Sequence, residues 1–162
     1  MNNDLSIMMA IKPNYTKLIY EKIKTLEFRK RLSKKLLEHF KVYGNRYPVK
    51  LYIYESHPTK MITGYMLVDF AWSMNKNVID QFYRSHPKSL GITLDDLYAY
   101  YHIDAKTPEN KPIGCAINIR DAIRFEKPIP IWDVDITYPP QDFIYLTPYD
   151  VERIGRVVTM RV

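Results

Sequence analysis

"IKPNYTKLIYEKIKTLEFRK", residues 11 to 30, changes its period halfway along. Pro13 suits the first turn of a helix, and Tyr15, Leu18, Ile19, Lys22 and Ile23 recur at the spacings of one helical face. From Lys24 the chain alternates, with Leu26 and Phe28 on one side of an extended segment and Thr25, Glu27 and Arg29 on the other. A helix running directly into a strand is therefore predicted. Lys24 sits at the junction, where its long side chain can bend over the mouth of a cleft. Glu27 is the one acid within the basic run "KIKTLEFRKR", residues 22 to 31. Two readings stay open for it: an exposed Glu27–Arg29 ion pair of little energetic value, or a carboxylate fixed among cations in a site.

Further along, residues 31–47 are rich in charge and end near Gly44-Asn45, which reads as a short basic helix or mobile insertion closed by a turn. "PVKLYIYES" from Pro48 alternates, with Val49, Leu51 and Ile53 facing one way and Lys50, Tyr52 and Tyr54 the other. "KMITGYMLVDFAW" from Lys60 is a further strand, and Gly64 inside it marks a bulge or a close backbone approach. Residues 24–30, 48–54 and 61–70 are expected to be adjacent strands of one curved sheet, packed by the helix from Pro13. Two short helices follow between residues 75 and 104, the second opened by a capping-box-like Thr93 and Asp96. "PIGCAINIRDAIRF" returns to strand, and a proline-punctuated extended chain follows it. "YDVERIG" reads as a last helical turn and "RVVTMRV" as a last strand or tail. The pattern is α+β, one domain over residues 1–162 with a basic insertion at about 31–47, its curved or closed sheet flanked by short helices.

Charge is unevenly spread. Residues 12 to 50 hold twelve Lys and Arg against Glu21, Glu27 and Glu38, while the rest of the chain is mildly acidic. Such a segment suits a polyanion, and its alternative is a solvated face. Five glycines and no Gly-rich phosphate loop argue against nucleoside-triphosphate and dinucleotide folds. The four histidines lack metal spacing and Cys115 is the only cysteine, so no metal, cofactor or internal disulfide is expected. Cys115 reads as a packed small residue of a buried strand. No apolar run is long enough for a membrane span, and the N-terminus does not read as a signal peptide, so a cytoplasmic location is expected.

The helix and strand around Lys24 resemble the start of the ASCH domain family, whose fingerprint is a helix followed by Gly-x-Lys-x-x-Glu-x-Arg. Lys24, Glu27 and Arg29 match it, and Lys22 stands at the glycine. "VKLYIYES", "KMITGYMLV", "PIGCAINI" and "PPQDFIYL" are similar to later parts of such chains, in the same order. The resemblance implies a small PUA-like β-barrel flanked by short helices, a cleft lined by Lys24, Glu27 and Arg29, and RNA as the partner. One subgroup of the family hydrolyses the acetyl group of N4-acetylcytidine with a lysine and a threonine. That threonine's position is held here by Glu27, and Thr25 lies two residues away.

Three functions follow as expectations. The first is a module for single-stranded RNA or a modified nucleotide. In it a basic cleft binds ligand through Lys24, Thr25, Glu27 and Arg29, with Tyr52 and Tyr54 as stacking surfaces and Lys34, Lys35 and Lys41 on phosphates. The second is a hydrolase, an amidohydrolase or a ribonuclease, with Lys24 and Glu27 as its catalytic pair. The third is a protein-interaction or regulatory module.

Overall fold

The computed structural model describes residues 5–31, 33–87 and 89–160. Strand β1 (Ser6–Ile11) leads into helix α1 (Pro13–Tyr20), then strand β2 (Leu26–Arg29) and helix α2 (Lys34–Tyr43). Strands β3 (Val49–Glu55) and β4 (Met61–Met74) follow, then helices α3 (Lys76–Ser85) and α4 (Leu94–Tyr101). The long strand β5 (Gly114–Ile129) leads through a 3-10 turn at Ile131–Val134 to β6 (Phe143–Leu146) and α5 (Pro148–Met160). The six strands form one mixed sheet in the order β2-β5-β4-β3-β1-β6, in which only β1 and β3 run parallel. The architecture is α+β as expected, but the sheet is not closed into a barrel by backbone pairing.

β3 and β4 are neighbours, whereas β2 pairs with β5 and lies at the far end of the order from β6. The expected adjacency of the three early strands is corrected at β2. Its four residues bury Leu26 and Phe28 under α3 and α4, and that places it on β5 rather than on β3.

Both faces of the sheet are covered. Ile7, Met9, Ile11, Leu51, Ile53 and Met66 point to α1 and α2, while Met8, Tyr52, Tyr54 and Ile62 point to α5 and the 3-10 turn. A bulge around Thr63 and Gly64 switches the phase of β4, so Ile62 and Tyr65, three apart, belong to the same face. A Cβ on Gly64 would lie 2.2 Å from the carbonyl oxygen of Ile123, so the residue is a close backbone approach.

The sheet curls until its ends meet through side chains. In a flat sheet the four steps from β2 to β1, each about 4.8 Å, would separate them by about 19 Å. Yet the Nη2 of Arg29 on β2 donates to the carbonyl of Ala10 on β1 at 2.6 Å. Ser33, just beyond β2, shares a hydrogen bond with the Tyr145 hydroxyl on β6 at 2.5 Å.

α1 stops sooner than its apolar spacing predicts. Lys22 takes φ 62°, and the amide of Ile23 donates to the carbonyl of Leu18 while that of Lys22 donates to Ile19, a Schellman ending. Lys22 occupies the left-handed position that glycine fills without steric cost. Its side chain makes an exposed ion pair with Asp121. Lys22→Gly is expected to stabilise the fold by about 1 kcal/mol and to raise the melting temperature by about 2–4 °C. An unchanged or lower melting temperature in a thermal scan would show that the side chain matters more than the backbone strain.

The C-terminal segment is also corrected: residues 148–160 form one helix, not a turn followed by a strand. Val151, Ile154 and Val158 lie at helical spacing and pack on the face that carries Tyr52 and Tyr54. Residues 161 and 162 of the expected tail lie outside the described residues.

Candidate functional site

Beyond the Schellman turn Ile23 is exposed, and Lys24 turns into the body of the protein. Lys24 does not bend over the mouth of a cleft, as its place at the junction suggests; it is only 3% exposed. Its ammonium donates to the carbonyls of Leu26 at 2.5 Å and Leu90 at 2.8 Å, which leaves one proton without a hydrogen-bond acceptor among the described residues. It also lies 5.0 and 5.5 Å from the ring centroids of Phe28 and Tyr15. The segment before α4 holds it down from above. Gly91, at φ 66°, presses on the lysine stem so closely that a Cβ there would come within 2.9 Å of three of its carbons. Burial pulls the Lys24 pKa below its ordinary value and the charge of Arg29 adds to this, while Glu27 opposes it.

Glu27 follows on β2 with its side chain 8% exposed. Its Oε2 is 4.0 Å from Lys24 Nζ, and its Oε1 is 3.4 Å from Arg29 Nε. The alternation read from the sequence thus puts Glu27 and Arg29 side by side, as a buried pair rather than an exposed one. Arg29 donates through Nη1 to Asp142 Oδ1 at 2.9 Å. Among the described residues, Glu27 Oε2 and Arg29 Nε are buried without a hydrogen-bond partner. Such atoms carry a full desolvation cost and are the natural contact points for a ligand.

Lys24, Glu27 and Arg29 line one cavity of about 680 Å³, a size common among small-molecule sites. Tyr15, Phe28 and Tyr100 provide aromatic walls, and Lys12, Asp96 and Gln141 lie at its exposed border. The lining carries three cations, Lys12, Lys24 and Arg29, against two acids, Glu27 and Asp96. Lys24 and Arg29 both lie against Glu27, and Arg29 is also paired with Asp142, which stands outside the lining.

The other residues singled out from the sequence lie elsewhere. Thr25 is a structural link: its amide donates to Ser89 and its carbonyl accepts from Ile119. Tyr52 and Tyr54 are buried on the opposite face of the sheet beneath α5, outside the cavity lining. Lys34, Lys35 and Lys41 are exposed on α2, and the Lys35 ammonium sits 4.5 Å from the centroid of the Tyr145 ring. Cys115 is buried in β5, and burial pushes its thiol up to about 12, well out of the reactive range. No group of three or more His, Cys, Asp or Glu among the described residues is placed to hold a metal, and none of their helices is long and apolar enough to cross a membrane.

Sequence reasoning missed Tyr15 and Tyr100 as members of the cleft, and Asp142 as the partner of Arg29. Asp142 lies inside "PPQDFIYL", but nothing local links it to an arginine 113 residues earlier.

No family model and no curated protein matches this sequence. Among solved structures, the chain is similar to the ASCH protein of Zymomonas mobilis, with 16% identity, 94% of each chain covered and a TM-score of 0.71. A mutant form of that protein is likewise 16% identical, covering 97% of this chain and 99% of its own at a TM-score of 0.72. The N-terminal domain of McrB from Staphylothermus marinus is 13% identical over 93% of each chain, with a TM-score of 0.55. A six-stranded mixed sheet with five helices, superposing on ASCH proteins over nearly its whole length, gives this chain an ASCH-like fold.

Proposed function

We propose that this chain acts as one nucleic-acid-binding domain whose cleft takes a single base of single-stranded RNA, or a modified nucleotide. The observation that carries the reading is Glu27 Oε2, a buried acceptor without a hydrogen-bond partner among the described residues, on a side chain that lines a cavity walled by aromatic rings. Beside it stand the third proton of Lys24 and the Nε of Arg29. An acceptor next to donors complements the edge of a base, while Tyr15, Phe28 and Tyr100 offer surfaces for stacking. The exposed lysines of α2 supply the phosphate contacts, outside the cleft rather than in it.

The hydrolase reading rests on the same pair, since Lys24, with its lowered pKa, lies 4.0 Å from a carboxylate oxygen. Among the described residues no threonine lines the cleft, and Thr25 lies outside it. We rank the hydrolase reading second.

Fluorescence anisotropy with mixed single-stranded oligonucleotides over a salt series tests the binding reading. Binding should weaken linearly on a log–log plot of affinity against salt. Joint charge reversal at Lys34, Lys35 and Lys41 should reduce that slope by about 2, at roughly 0.7 for each phosphate that is no longer neutralised. Unchanged affinity of the triple variant at low salt would assign these lysines to solvation. Wild-type protein that binds no oligonucleotide but an acidic protein surface instead would favour the interaction module.

A further inference from the structure

Arg29 is engaged well beyond the needs of β2 pairing. One arm of its guanidinium donates to Asp142 Oδ1 at 2.9 Å and the other to the Ala10 carbonyl at 2.6 Å. Asp142 is itself fixed, because its carbonyl accepts from the amide of Ala10 at 2.8 Å and so extends the β1–β6 pairing by one residue. The order Asp142, Arg29, Glu27, Lys24 thus forms a row of alternating charge. It runs from a carboxylate 45% exposed to an ammonium at 3%. Two cations face two carboxylates, and the row is neutral as a whole.

This balance decides what the floor can take. A guanidinium with free arms is the side chain best shaped to grip an oxyanion in a bidentate fork. Here both terminal arms are committed, one to Asp142 and the other to a backbone carbonyl, so only Nε is left without a hydrogen-bond partner, and it lies 3.4 Å from the Glu27 carboxylate, which repels an anion. Without the charge on Asp142 the row would carry one net positive charge next to the cavity.

We infer that Asp142 is the specificity-determining residue of the cleft: by occupying Arg29 and cancelling its charge, it reserves the floor for the N–H and C=O edge of an uncharged heterocycle and turns an oxyanion away. The inference rests on the reading of the cleft as a base pocket, and it adds that the phosphate of a bound nucleotide stays outside.

Wild type, Asp142→Asn and Asp142→Glu are to be titrated with uridine, cytidine and guanosine, and separately with inorganic phosphate. Backbone amide shifts of Lys24, Glu27 and Arg29 report occupancy of the cleft. The asparagine keeps an oxygen for Arg29 Nη1, so the fold should persist, with a melting temperature within a few degrees of wild type. Asp142→Asn is expected to gain at least tenfold in affinity for phosphate, while Asp142→Glu, which keeps the charge, stays like wild type. A folded Asp142→Asn protein with no gain for phosphate overturns the inference. So does phosphate binding in the cleft of the wild-type protein, a measurement that needs no variant. If Asp142→Asn gains phosphate while wild type binds none of the nucleosides, the base-pocket reading fails and charge selection by Asp142 stands.

Discussion

Glu27→Gln is expected to lower nucleoside affinity at least tenfold and to destabilise the protein by about 3 kcal/mol, because it strips the counter-charge from cations buried at the cleft floor. The pair is not a surface bridge, whose loss would cost about 0–1 kcal/mol. Lys24 is 3% exposed and the Glu27 side chain 8%, so water screens the pair poorly. Arg29 keeps Asp142, and Lys24 keeps its two carbonyls, so the cost falls short of unfolding. For a chain of this length the melting temperature should fall by about 6–12 °C. Glutamine has nearly the same shape but offers only one oxygen, so the site survives with altered preference, shifted towards anionic ligands. If the protein is a hydrolase using this carboxylate as a general base, the variant should instead lose about 10² to 10⁴ in turnover while still binding substrate. Wild-type values for melting, nucleoside affinity and hydrolysis together would remove Glu27 from any role in the cleft.

The largest effect on folding is expected at Gly64. An added Cβ would sit 2.2 Å from the Ile123 carbonyl oxygen and 2.7 Å from the Tyr20 hydroxyl. Neither neighbour can yield cheaply. The carbonyl belongs to the adjoining strand, and the hydroxyl is hydrogen-bonded to Thr63 at 2.6 Å. Gly64→Ala should therefore part β4 from β5 at the bulge, costing about 3 kcal/mol or more and lowering the melting temperature by roughly 10 °C. Gly155→Ala in α5 is the matched control. Nothing lies within 4 Å of its new Cβ, so helix propensity alone should make it neutral or stabilising by up to about 1 kcal/mol. Equal melting temperatures for the two variants would show that the bulge can rearrange.

What the sequence discloses follows from how many faces each element buries. β2 is readable because one of its sides is apolar and the other polar, and the fingerprint spacing places Lys24, Glu27 and Arg29 together. β1 is not, because "SIMMAI" is apolar on both sides and packs against both faces of the structure, leaving no alternation to detect. The same double burial hides the true setting of β3. Tyr52 and Tyr54 look like an exposed polar row but lie under α5, whose own "RVVTM" resembles a strand in its β-branched residues. The cleft is legible only along β2. Tyr100 reaches it, and Asp142 reaches its Arg29, from distant parts of the chain, through a curl of the sheet that no local pattern records.

That curl has a genetic consequence. In a barrel closed by backbone pairing, closure is spread over peptide groups that every residue type except proline can supply. Here the ends are joined by side chains, with Arg29 holding Ala10 and Asp142, and Ser33 meeting Tyr145. Closure is thus written in the codons of a few positions, and one of them also forms the floor of the cleft. At position 29, selection for what the cleft holds and selection for a sheet that stays shut act on the same side chain, and neither can change it alone.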